Sequence, residues 1–308
     1  MGLTLLEAAK AERDPQRGAI IRILNEGELL PIMNIRDVDG AGLFYDQEGE
    51  LPGVGFRGIN EGLDHTYGVL NPQAEALKII GADIDVDKFL LDTQGDAARA
   101  NQIEMKIRSL RLTIEDRFIN GDESLNPRES DGLRKRITTG SSQSINANGA
   151  LSLAALDELC DAVDAQGGRK YLIMSKAMRR RLTQAHRNPS IGNFLESNRD
   201  EFGRLITMYN DIPIVVTDVN AQNQLIQPFN EESGADRTSI YCVSFGDTLT
   251  TMLQGKINGQ PGISSRMLGE VDDAPVDRTR VEWYVAFGVL NGRSCARLRN
   301  ITNAPVVA

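Results

Sequence analysis

The chain has 308 residues, with 43 acidic against 34 basic side chains and a formal net charge of −9. It is therefore long enough to bury a core without disulfide staples and has no broad attraction for nucleic acid or anionic lipid. Cys160, Cys242 and Cys295 are odd in number, widely spaced and set among apolar residues, which excludes a disulfide framework and suits reduced core thiols. No run of about 18 apolar residues offers a membrane span, and the opening residues lack the order of a secretory signal, so a soluble cytoplasmic product is expected.

In chain order, Leu5, Leu6 and Ala9 fall at helical spacing before Asp14-Pro15, giving a short amphipathic arm that is marginal as an isolated helix. Glycine then recurs eight times between Gly40 and Gly68. Leu43-Phe44-Tyr45 and Val54-Gly55-Phe56 read as strands of a protruding two-stranded loop, which is barely stable by itself. Over Leu77 to Val86, Ala82, Ile84 and Val86 alternate with acidic residues, as in a half-buried strand. Asp96 to Asn120 is free of Gly and Pro, and Ile103, Ile107, Leu110, Ile114 and Phe118 trace one apolar stripe of a helix about 35 Å long. Glu104 with Arg108, and Arg111 with Glu115, are expected as i, i+4 pairs on its wet side.

A polar stretch from Asp122 to Asn148 contains one strand-like segment, Leu133 to Ile137. Beyond it, a helix at Leu153–Val163 stops at Gly167-Gly168, Tyr171–Met174 is a strand, and Ser175 caps a basic helix running to about His186. Ile212–Thr217 and Ser239–Phe245 read as buried strands. Val281, Trp283, Val285, Phe287 and Val289 share one strand face, and Asn291-Gly292 turns the chain into Arg293–Ile301 as a closing hairpin.

The catalytic inventory is bare, and neither a cofactor nor a metal is expected. Asp83-x-Asp85-x-Asp87 starts like a calcium loop, but Lys88 stands where the sharp-turn glycine belongs and Gln94 where the bidentate glutamate belongs. This acidic face is expected instead to meet basic residues of an adjoining subunit. His65 and His186 lie far from any nucleophile elbow, the Cys and His spacings do not suit zinc, and no phosphate-binding glycine loop occurs. The segment Arg169–Arg187 is free of acidic residues. It is either a solvated face or, through Arg179, Arg180 and Arg181, a charge contact with a partner.

Three phrases carry a resemblance. The first runs Arg117-Phe118-Ile119-Asn120-Gly121-Asp122, through Asn126-Pro127, to Asp131-Gly132-Leu133. The second pairs Lys170-Tyr171-Leu172-Ile173-Met174-Ser175 with Asp211-Ile212-Pro213-Ile214-Val215-Val216-Thr217-Asp218, and the third is Val243-Ser244-Phe245-Gly246-Asp247. In this order the chain resembles the Hong Kong 97-like fold of tailed-phage major capsid proteins. The resemblance implies an α+β chain with an N-terminal arm (1–34), an extended β-hairpin loop (35–71) and a peripheral domain (72–150) with a spine helix near 96–120. An axial α/β domain (151–280) and a closing hairpin (281–308) returning to the peripheral domain complete it.

The same resemblance implies a non-enzymatic virion subunit, made and assembled in the host bacterial cytoplasm. It would self-assemble as pentamers and hexamers into an icosahedral shell around double-stranded DNA, touching the DNA only non-specifically and needing no membrane. Separate scaffold, portal or decoration proteins are its further partners. Phe44, Tyr45, Val54 and Phe56 are the expected apolar grip of the loop, Glu48, Glu50, Arg57, Glu61 and Asp64 set register by ion pairs, and Arg99, Arg108 and Arg111 receive them. Because the segment 35–68 has no lysine, the isopeptide weld of some members is not expected. An early spine helix likewise argues for a separate scaffold or none, unless the chain is already processed. Rival readings are an encapsulin-like compartment subunit and a cytosolic α/β enzyme using the region after residue 150. The shell reading leans on the first seventy residues being unfinished alone and ordered only against a sister molecule.

Overall fold

The computed structural model describes residues 24, 26–63, 65–189, 191, 194–199, 205–231, 236–257, 259–272 and 274–307. The amphipathic run expected at 3–13 lies outside them. Leu24, Leu29, Leu30 and Met33 are buried in the main core, and the chain then enters strand β1 (Ile35–Val38), which pairs in parallel with β11 (Thr250–Ile257). The expectation that the first seventy residues stay unfinished therefore fails for this part. Its apolar side chains fill space on the subunit's own body.

Strands β2 (Gly42–Glu50) and β3 (Val69–Ala76) form a separate antiparallel ribbon, from Gly42 opposite Ala76 to Glu50 opposite Val69. Residues 51–63 and 65–68 join them without a strand, so the strand expected at Val54–Phe56 is absent and the ribbon's foot lies five residues beyond the expected limit, at Ala76 rather than residue 71. Pro72 hides this strand from a sequence reading. A two-stranded ribbon has only edge strands, where a missing N–H is tolerated.

Next come β4 (Lys78–Asp87), α1 (Lys88–Gln94) and α2 (Asp96–Asn120). Strand β4 alternates as its sequence dictates: Ile84 and Val86 are buried while the aspartates stay outside. Helix α2 places Ile107, Leu110, Ile114 and Phe118 in the same core. The phenyl ring of Phe118 packs edge-on to Phe287 at 5.1 Å and tilted to Phe245 at 6.0 Å. Where α2 ends, two backbones cross. Gly132 N–H donates to Gly121 O at 2.9 Å, and a Cβ on Gly132 would lie 2.7 Å from both Arg117 O and Gly121 N. The Asn-Gly-Asp and Asp-Gly-Leu phrases thus mark a close approach that only glycine permits.

The segment expected as a strand at Leu133–Ile137 is instead the helical turn α3 (Leu133–Arg136). Leu133 and Ile137 both reach the core, which an i, i+4 pair on a helix satisfies as well as alternation would. The second half contains β5 (Ser144–Gly149), α4 (Leu153–Asp161), β6 (Arg169–Ser175), α5 (Lys176–His186), β7 (Leu195–Arg199), β8 (Leu205–Tyr209), β9 (Ile212–Thr217) and β10 (Arg237–Phe245). Ser152 and Ser175 cap α4 and α5, accepting from Ala155 N at 3.1 Å and Met178 N at 3.4 Å. Strands β6, β9 and β10 bury both faces. Ile173, Val215 and Val243 join the core under α2, while Leu172, Met174, Val216 and Cys242 join a second core under α4 and α5. The three cysteines are free and buried, as their apolar neighbours suggest.

After β11 come β12 (Gln260–Pro261), β13 (Ser264–Val271), β14 (Ala274–Val289) and β15 (Cys295–Thr302). The expected inward row of β14 is buried, including Trp283. The closing hairpin is not formed. Strand β14 pairs with β4, β11 and β13, whereas β15 pairs with β10 and β5. Only one residue pair, Phe245 with Thr250, links β10 to β11. The turn at Asn291, closed by Ser294 N–H to Asn291 O at 3.0 Å, passes the chain from the first core to the second.

Candidate assembly surface

The foot of the β2–β3 ribbon is pinned. Arg136, on α3, grips Glu75 of β3 through both terminal nitrogens at 2.5 and 2.8 Å, donates to Phe287 O at 2.7 Å and, through Nε, to Asp131 O at 2.9 Å. The two side chains are only 17% and 13% exposed. Burial works against the guanidinium charge, but the Glu75 carboxylate outweighs it and holds the Arg136 pKa above its usual value. From β2, Tyr45 donates to Val289 O at 3.1 Å and reaches Glu75 at 3.4 Å. Its own phenol is pushed up to about 12, by burial first and then by Glu75. Tyr45 is therefore a fixed part of the foot, a correction to its expected place in the apolar grip.

Beyond the foot, the ribbon leaves the body with its apolar side chains bare. Val54 is 97% and Phe56 109% exposed, and Phe44, Leu51, Ile59 and Tyr67 are likewise open to solvent. The tip is ordered locally: Glu61 accepts from Gly58 N–H at 2.8 Å, Arg57 donates to Glu61 O at 3.2 Å, and Thr66 donates to Gly53 O at 2.7 Å. Arg57 and Glu61, expected to set register with a neighbour, here shape the tip itself. Asp64 and the side chains of Glu48 and Glu50 lie outside the described residues.

The expected receivers on α2 fare differently. Arg99 is committed to Asp277 at 2.6 Å. Arg111 and Glu115 are not on a wet face but beneath residues 26–30, with Arg111 Nη1 3.9 Å from Glu26. Arg108 remains exposed, beside Glu104 at 3.3 Å. The acidic face of β4 is satisfied within the chain: Asp83 pairs with Arg280 at 2.7 Å and Asp85 with Arg278 at 2.6 Å, across the β4–β14 ladder. Those hydrogen bonds hold both carboxyls below the usual aspartate range. The expectation that this face waits for an adjoining subunit is corrected accordingly.

On α5, Arg179 and Arg180 are exposed. Arg181 instead ties down the C-terminal segment, donating to Asn303 Oδ1 at 3.0 Å and Asn303 O at 3.1 Å. Sequence reasoning missed the Arg136–Glu75 lock. No local signal separates Arg136 from its neighbours Arg134 and Lys135, because its partner lies 61 residues away.

The fold as a whole recurs in solved shell structures. The chain is similar to the holo-SrpI encapsulin complex of Synechococcus elongatus, at 17% identity with a TM-score of 0.65 over 91% of this chain and 89% of that one. It is similar to the capsid of an empty GTA particle at 15% identity, with a TM-score of 0.61 over 90% of each chain. It is also similar to Mycobacterium phage Cain at 12% identity, with a TM-score of 0.59 over 92% and 91%. These likenesses define the fold, which is Hong Kong 97-like. No curated protein matches the sequence.

Within that class, residues 81–226, from the middle of β4 through α2 to just beyond β9, match the family described as SU10 major capsid protein. That stretch is a little under half of the chain, and over it the sequence is similar to tailed-phage major capsid proteins.

Proposed function

We propose that this subunit builds the icosahedral head that encloses packaged double-stranded DNA, and that residues 51–68 close each contact by lying on a sister subunit. The observation that carries the reading is the pairing of a rigid foot with a bare tip. An intramolecular role would bury Val54, Phe56 and Ile59, whereas here they are presented to solvent at the end of an anchored ribbon. Covering each gains roughly 1.5–3 kcal/mol. Weak contacts of this size suffice when one interface repeats around a closed shell of pentamers and hexamers.

In this reading the core around α2, β4 and β14 is the peripheral domain, and the core around α4, α5 and β15 is the axial domain. Arg179 and Arg180 offer a charge contact to a neighbouring subunit, with scaffold or packaged DNA as the other recipients. Assembly takes place in the host bacterial cytoplasm, with separate scaffold, portal or decoration proteins as further partners.

Deleting Gly49 to Gly58 tests the proposal: soluble capsomers without shells are expected, and normal shells would overturn it. The likeness to an encapsulin favours one second reading, a compartment around a protein cargo. Nucleic acid inside purified shells decides for the head, and a protein cargo without nucleic acid for the compartment.

A further inference from the structure

We infer that Glu115 is a proton-operated clasp: in its neutral form it lets residues 26–33 dock on helix α2, and in its ionised form it loosens them. This inference concerns the single subunit and does not depend on what the shell encloses.

The covering segment meets the helix at one tight point. Leu29, Leu30 and Met33 are buried in the core, and Gly27 lies on Glu115 so closely that an added Cβ would overlap Oε1. That oxygen is buried without a hydrogen-bond partner among the described residues. The charged groups acting on it are Arg111, one turn earlier on α2, and Glu28 from the covering segment, with Glu26 of the same segment beside Arg111. Arg111 is shared, because its Nη1 lies 3.9 Å from Glu26 Oε2. Glu28 is held in place, its Oε2 accepting Val216 N–H at 3.0 Å.

Glu115 therefore shares Arg111 with Glu26 and has the Glu28 carboxylate as a like-charged neighbour. Glu26 and Glu28 are exposed, whereas Glu115 is half-buried with its Oε1 shut off from solvent, so Glu115 is the one for which taking a proton relieves most. Burial first, then Glu28, push its pKa from 4.5 up to about 7, with Arg111 pulling the other way. A carboxyl whose docked-state pKa lies above its free value favours docking fully at low pH. The advantage fades as pH rises from about 4.5 to about 7 and is gone above that. Between pH 5.5 and 8 the docked-to-undocked ratio should fall roughly 10- to 30-fold.

Hydrogen exchange on the intact protein tests this, with protection factors of the amides in residues 26–33 corrected for intrinsic rates at pH 5.5 and 8. In the wild type, protection should drop roughly 10- to 30-fold across that interval. In Glu115→Gln it should stay within about twofold. A flat wild-type profile, or a Glu115→Gln profile as steep as the wild type's, overturns the clasp. Peptides from β6 and α5 report whether Glu115→Gln is folded. If it is not, Glu28→Gln decides, because it keeps an acceptor for Val216 N–H while removing the like charge. A lowered transition pH supports the clasp, and an unchanged one overturns it.

Discussion

Replacing Arg136 with methionine removes the foot of the assembly ribbon while keeping most of its packing volume. The substitution deletes two bonds to Glu75 and those to Phe287 O and Asp131 O. It leaves the Glu75 carboxylate, in a side chain only 13% exposed, with the long 3.4 Å contact from Tyr45. Breaking a buried pair from one side costs roughly 3–5 kcal/mol, and the residual exposure argues for the lower end, about 3. For a chain of this size that is a fall in Tm of about 5–10 °C. Scanning calorimetry of the unassembled subunit reads it, and negative staining reads the second consequence, loss of closed shells because the ribbon no longer leaves the body at a fixed angle. The double variant Arg136→Met with Glu75→Leu removes both charges and should regain most of the lost Tm without regaining shells. If Arg136→Met alone shifts Tm by less than about 1 °C and still forms normal shells, the reasoning about the foot is wrong.

Phe56→Ser and Val54→Ser together should leave the subunit's Tm unchanged, because both side chains are solvated, yet stop shell formation in a sedimentation assay. Gly132→Ala forces apart the crossing of α2's end with the chain before α3 and should destabilise by about 1–3 kcal/mol in urea unfolding. Arg179→Glu with Arg180→Glu should block assembly without altering the far-ultraviolet circular dichroism of the subunit. Unchanged particles with unchanged genome content would remove those arginines from the account. Asp83 and Asp85 have carboxyls held below 3.8 by Arg280 and Arg278, so their contribution is intact at neutral pH and lost only as pH falls below that value. Asp83→Asn with Asp85→Asn should accordingly flatten the acid limb of a Tm-versus-pH curve and leave neutral-pH assembly unchanged.

The elements that were legible in the sequence are those fixed by local pattern. Helix α2 is uninterrupted by Gly or Pro and carries a full apolar stripe, and Ile212–Val216 of β9 and Ile240–Val243 of β10 are apolar runs because both their faces are covered. Apolar periodicity says which face is buried, but not which neighbour buries it. That is why β14 and β15 read as a hairpin although they pair with different strands. The same limit explains why Asp83 and Asp85 looked unpaired, their arginines being 197 and 193 residues away. Leu133 and Ile137 suit a strand and a helical turn equally, so their spacing does not choose between the two. On the candidate surface, the exposure of Phe44, Val54 and Phe56 was legible because apolar side chains stood in a glycine-rich run that cannot build a core. The receivers were not, since whether Arg99 or Arg111 is free depends on Asp277 and Glu26, distant in sequence.

Cryo-electron microscopy of the purified protein probes the shell account most directly. It should reveal closed particles in which residues 51–68 lie against a sister subunit, with Val54 and Phe56 buried there. Monomers or small oligomers that leave the same residues in solvent would contradict it.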